Sequence, residues 1–124
     1  MKTLRLVAAL VLGAFVSAIA LPAVSNAAEL RWEIKSNYRY KVQVAFYSQS
    51  RGHVWPGQSR AYGLNDYQTY TYTLDCVRGE RICFGGWVTG RGNTYWGVGP
   101  DNKYSCTTCC AVCGGGPTRT QVLN

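Results

Sequence analysis

From Leu30 onward, apolar and polar residues alternate with a period of two, the pattern of strands that bury one face. Leu30, Trp32 and Ile34 alternate with Arg31, Glu33 and Lys35. After Ser36-Asn37 the alternation resumes: Tyr38, Tyr40, Val42, Val44 and Phe46 share one face, and Arg39, Lys41 and Gln43 the other. Ser48 to His53 reads as a polar loop, and Val54-Trp55-Pro56-Gly57 as a short extended piece ending in a turn. A short strand over Ser59 to Leu64 follows, then Thr69 to Leu74, β-branched or aromatic at all but the last position.

The next turn fixes a register. Centring a tight hairpin on Gly79-Glu80 pairs Val77 with Ile82, Cys76 with Cys83 and Tyr72 with Trp87. Gly90-Arg91-Gly92-Asn93 then turns the chain into Thr94-Tyr95-Trp96. About six or seven strands spaced by turn residues predict an all-β fold, a small antiparallel β-sandwich or open barrel. Nothing between them has the period of a helix, apart from one turn's worth in the cysteine cluster. Gly114-Gly115-Gly116-Pro117 opens what reads as a flexible tail over 114–124.

The N-terminal segment follows a different rule. Lys2 and Arg5 precede an apolar run from Leu6 to Leu21, and Ser25-Asn26-Ala27 supplies small residues where a signal peptidase reads. This is the three-part pattern of a secretory signal over 1–27, and it places the mature chain outside the cytoplasm, secreted or periplasmic. No later stretch is long and apolar enough to span a bilayer. Removing 27 of 124 residues leaves 97, and the net charge falls from +7 to +5 because two basic residues leave. That is one domain, over 28–113, with a positive charge suited to solubility or to anionic envelope polymers.

Six cysteines in so short an exported chain predict a disulfide framework that staples a limited core. They are Cys76, Cys83, Cys106, Cys109, Cys110 and Cys113. Two pairings compete. Either Cys76 bonds Cys83 across the expected hairpin and the other four pair among themselves, or two cluster cysteines cross to Cys76 and Cys83. The second closes longer loops and stabilises more. The Cys-x-x-Cys spacings also resemble a metal or redox site, but an exported domain favours bonded sulfurs, so no metal or other cofactor is expected.

Catalytic chemistry finds little support. His53 is the lone histidine and lies in a polar loop, and there is neither a Gly-x-Ser-x-Gly elbow nor a His-Glu-x-x-His. The six acids fall mostly on solvent faces or turns, Glu80 among them. A noncatalytic role follows. Trp55, Tyr62, Tyr67, Tyr95 and Trp96 stand in or beside turns, with Arg51, Arg60, Arg91 and Lys103 in the same loops. Exposed aromatic rings beside basic groups suit stacking on sugars and contact with anions, so these residues form the expected binding surface. The expected partner is an anionic or carbohydrate polymer of the cell envelope, bound by a monomer. Nucleic acid is not expected outside the cytoplasm. A structural or protein-interaction role in the envelope is the main competitor.

Two segments carry a resemblance. Asn37-Tyr38-Arg39-Tyr40-Lys41-Val42-Gln43-Val44 gives an Asn-aromatic-basic strand, and Gly79-Glu80-Arg81-Ile82-Cys83-Phe84-Gly85-Gly86-Trp87 a Gly-Glu-x-x-Cys segment running into a Trp strand. In these the chain resembles small exported bacterial cysteine-containing β proteins of unknown function. The resemblance implies a sandwich-like fold and carries no catalytic residues; the doubled Cys-x-x-Cys cluster lies outside it.

Overall fold

A computed structural model describes residues 13–19 and 26–124. The expected signal segment therefore lies mostly outside the described residues. The first strand, β1 (Ala27–Ser36), starts beside the expected mature terminus. β2 (Val42–Ser48), β3 (Val54–Trp55), β4 (Tyr62–Leu64), β5 (Thr69–Val77), β6 (Arg81–Val88) and β7 (Arg91–Gly97) follow. A 3-10 turn at Pro100–Asn102 leads to β8 (Cys110–Val112) and β9 (Gln121–Leu123). The fold is all-β, in two facing sheets.

The smaller sheet runs β5-β1-β9. The larger is centred on β2 and β6. β3 and β4 share the outer edge of β2, while β7 and β8 share the far edge of β6. The alternation in β1 points Leu30, Trp32 and Ile34 inward, where all three are at most 1% exposed. They meet Val42, Val44 and Phe46 of β2, Phe84 of β6 and Leu74 of β5 in one apolar core. Trp32 packs its ring 5.5 Å from Phe46 and 5.8 Å from Phe84, and Tyr72 of β5 closes on Phe46 at 5.3 Å.

Several local expectations are corrected. The chain does not run extended through Tyr38 and Tyr40. Instead β1 ends at Ser36, whose hydroxyl accepts the Tyr38 N–H, and the bend carries the chain from one sheet to the other. The turn after β5 is centred on Arg78-Gly79, one residue earlier than expected: Glu80 N–H donates to Val77 O, and Gly79 takes φ +86°, which suits glycine at the second central position. That turn is a corner between sheets, not a hairpin. β5 gives its hydrogen bonds to β1 and β6 gives its own to β2, so Tyr72 does not face Trp87.

The sulfurs follow from that corner. Cys76 bonds Cys113, Cys83 bonds Cys110, and Cys106 bonds Cys109. The crossing arrangement thus holds, and the Cys76–Cys83 bond does not form because its partners lie in different sheets. Cys83 and Cys110 are opposed residues of β6 and β8, whereas Cys76–Cys113 clips the small sheet to the segment carrying β8. The expected flexible tail is also ordered at its end. β9 pairs in parallel with β1, and Leu123 is 1% exposed, its methyl filling the space that a side chain at Gly86 would take.

Candidate functional site

β2 is buried on both faces, and its second face builds the site. Gln43, Ala45 and Tyr47 point away from the core and stand opposite Trp87, Gly85 and Cys83 of β6. The small residues at the centre let another segment lie flat on the sheet. A Cβ on Gly85 would come within 2.0 Å of the Gly99 carbonyl oxygen, so the backbone of residues 98–103 is in direct contact there. That segment leaves Gln43 and Trp87 as the floor of an open groove of about 630 Å³. The volume falls within the range of small-ligand sites.

The groove has two walls. One is the chain on either side of β3: the end of the β2–β3 loop and the start of β3 contribute Gly52 to Val54, and the β3–β4 loop contributes Gln58 to Ala61. It is tied across its base by Gln58 Nε2 donating to Gly52 O at 2.8 Å, and Trp55-Pro56 within it is a cis peptide. The other wall is Pro100, Asp101 and Asn102. Asp101 N–H donates to Tyr47 Oη at 2.9 Å, and Asn102 and Gln49 exchange amide hydrogen bonds at 3.0 and 3.3 Å. Ser59, Asp101 and Asn102 hold φ of +58°, +57° and +55°. Left-handed conformations outside glycine concentrate where a fold holds a binding surface in place.

The lining is mostly uncharged. Trp87 Nε1 donates to Gln43 Oε1 at 3.2 Å, which fixes the indole against its neighbour on β2. Burial pushes the Tyr47 phenol above its ordinary pKa, against the opposing Asp101 N–H bond, so the wall's anchor stays protonated. His53 packs edge-on to Trp55 at 4.5 Å, and Arg60 and Asp101 add one charge of each sign. Amides, hydroxyls, an imidazole and the rings of Tyr47 and Trp87 surround a space open to water.

Of the nine residues expected to form the binding surface, only Arg60 lines this groove. Trp55 is 8% exposed and belongs to the core, its Nε1 donating to Asp75 O; it backs His53 from behind. Arg51 lies over the Trp55 ring but is committed to Glu80. Tyr62 is packed between Phe46 and Tyr72. Tyr67 is exposed and outside the groove lining. On β7, Tyr95 stacks on Tyr104 at 3.8 Å beneath Lys103, Trp96 donates to Asn124 O, and Arg91 joins Arg39 over Tyr40. The expected surface is thus dispersed over three places.

No protein-family model, curated protein or solved structure matches this chain. The site therefore stands on its own geometry. Sequence reasoning passed over Gln43, Trp87, Asp101 and Asn102. One signal was present, because Gln43 is a polar residue between two valines of a strand whose other members are buried.

Glu80 was expected to be a surface charge and is 4% exposed. Its carboxylate accepts from Ser48 Oγ and Arg51 Nε, each at 2.5 Å, and from Arg51 Nη2 and Val77 N at 3.1 Å. Burial alone would raise its pKa; the donors outweigh burial and hold it at about 2. It ties the β2–β3 loop to the β5–β6 corner and does not face the groove. Among the described residues all six cysteines are bonded, and no group of three or more His, Cys, Asp or Glu side chains is placed to hold a metal.

Proposed function

We propose that this protein is a noncatalytic binding domain acting outside the cytoplasm, and that the outer-face groove takes a neutral or weakly charged glycan of the cell envelope. The reading rests on one observation, the pairing of the Trp87 face with Gln43 on the floor of a groove walled by amide and hydroxyl groups. A sugar ring offers an apolar C–H face for stacking and hydroxyls around its rim. Trp87 suits the face, and Gln58, Asn102, Asp101 and Arg60 suit the rim. The near balance of charge in the lining favours carbohydrate over polyanion. The signal pattern and three disulfides support export.

Tryptophan fluorescence titrated with a panel of envelope oligosaccharides tests the reading. A saturable change with at least one glycan is expected. The W87A variant should weaken it about tenfold or more, the size of a lost aromatic stack. Silence across the panel, or binding indifferent to W87A, removes the proposal and leaves a structural or protein-contact role for the domain.

A further inference from the structure

The molecule has four indole groups, and three of them are satisfied. Trp55 Nε1 donates to Asp75 O, Trp87 Nε1 to Gln43 Oε1, and Trp96 Nε1 to Asn124 O. Trp32 is the most deeply buried of the four, at 1% exposed, and its Nε1 is the sole buried side-chain nitrogen or oxygen among the described residues without a partner. A buried N–H normally finds an acceptor, and leaving one bare is costly. Trp32 differs from the others in another respect. It lines a second cavity, of about 520 Å³, where the small sheet and β8 part company.

The cavity's walls say what acceptor fits. On one side are Thr108 and the β8 residues Cys110 and Ala111; on the other is the run Thr118 to Gln121 leading into β9. The Trp32 ring, Ala111 and the Cys83–Cys110 bridge supply apolar surface. Arg119 is exposed and forms no ion pair, since the two salt bridges of the described residues join Arg31 to Glu33 and Arg51 to Glu80. The neighbouring acid, Glu33, is already engaged by Arg31 and by the Thr120 hydroxyl at 2.9 Å. An inner N–H donor, an apolar middle and a free guanidinium among the lining residues match a small molecule with a short apolar body and an anionic oxygen head.

We propose that this cavity is a binding site for a small organic carboxylate, its oxygens accepting from Trp32 Nε1 and from Arg119. The site is separate from the outer groove and does not depend on what the groove takes. The same carboxylate chemistry belongs to free organic acids and to the end of a peptide. The probe chosen is the simplest, benzoate, with benzamide as its neutral counterpart of equal shape.

The four indole N–H resonances of the oxidised protein, labelled with nitrogen-15, read the test directly, and W32F assigns the resonance of interest. Benzoate is expected to move the Trp32 resonance saturably while that of Trp87 stays in place. Benzamide should bind at least tenfold more weakly, and R119Q, a surface change that leaves the core intact, should remove most of that difference. An unmoved Trp32 resonance at tens of millimolar benzoate overturns the proposal and leaves water as the partner of the indole. Equal binding of benzamide, or indifference to R119Q, overturns the carboxylate assignment. Movement at Trp87 in place of Trp32 sends the ligand to the outer groove and likewise overturns it.

Discussion

The two faces of β2 are both buried, yet by different means. Val42, Val44 and Phe46 are covered by a second sheet whose own strands alternate in the same period. Ala45 and Tyr47 are covered by irregular chain, the segment 98–103, and Gln43 is left half-buried between that segment and the loops flanking β3. A sheet covers its neighbour continuously and leaves little room for water. Loops cover a face in patches held by single hydrogen bonds, and the gap between two patches is the groove. The difference separates what stabilises the molecule from what it presents to a ligand.

The largest expected effects fall one on each face, the first on the inner side. The Cys76–Cys113 bond spans 37 residues and joins the small sheet to the β8 segment that stands on the large one. With Cys83–Cys110 retained, the loop that Cys76–Cys113 closes is only the 7 residues from 76 to 83 and the 3 from 110 to 113, so replacing both its cysteines by alanine should cost about 3 kcal/mol by the loop-entropy relation, against about 2 kcal/mol for Cys106–Cys109, which closes only 3. Urea unfolding of the two double variants gives the contrast. Equal losses would mean that the clip between the sheets is not what holds the inner face closed. The outer face breaks at a different residue. G85A places a methyl into the Gly99 carbonyl, a backbone atom that must move, and should cost about 3 kcal/mol. Its signature is displacement of the 98–103 wall, with the ring packing of Trp32, Phe46 and Phe84 retained. Near-UV circular dichroism and proteolysis within 98–103 distinguish that outcome from general unfolding.

The inner face was legible in the sequence and the outer one largely was not, for a physical reason. Leu30, Trp32 and Ile34 advertise their burial by alternating with charges, because the other side of β1 faces water. β2 has no such contrast at Ala45 and Tyr47, since both its sides are covered, so period alone cannot say what lies on each. The corner after β5 misled for a related reason. Gly79 marks a tight turn equally well at either central position, and one residue of difference decides whether the flanking strands pair or part. The ordered end of the tail depends on Leu123 meeting a glycine 37 residues earlier, a contact no local pattern announces. The loop aromatics were singled out for standing beside turns, but Trp55 and Tyr62 turn inward because β3 and β4 carry them over the core.

Glu80, which ties the β2–β3 loop to the β5–β6 corner, should give a smaller loss than either break, about 2 kcal/mol at neutral pH for E80Q. Its folded pKa of about 2 lies below the ordinary 4.5. A depressed pKa stabilises the folded state fully above 4.5, and that contribution is lost as pH falls from 4.5 toward 2. Acid titration of stability should therefore slope downward through that window in the native protein and less so in E80Q. Parallel curves would mean that the carboxylate is not the linkage group.

The smallest effect is the most local. Tyr47 Oη accepts the Asp101 N–H at the foot of the groove wall, with Asp101 itself held at φ +57°. Y47F keeps the ring that covers the outer face and deletes only the acceptor. Because Asp101 is exposed, water can replace that acceptor, so global stability should fall by no more than about 1 kcal/mol. The wall should loosen locally nonetheless, since Asn102 stays tied to Gln49 and Val98 to Phe84 O while Asp101 between them loses its own bond. Amide hydrogen exchange separates these quantities. The Asp101 amide should exchange about tenfold faster or more, while the amides of Val44 and Phe46, bonded within the sheet, keep their protection. A change spread over both sets would show that the loop cover and the core open as one unit. An unchanged Asp101 amide would show that the wall owes its position to the Gly99–Gly85 contact rather than to the phenol.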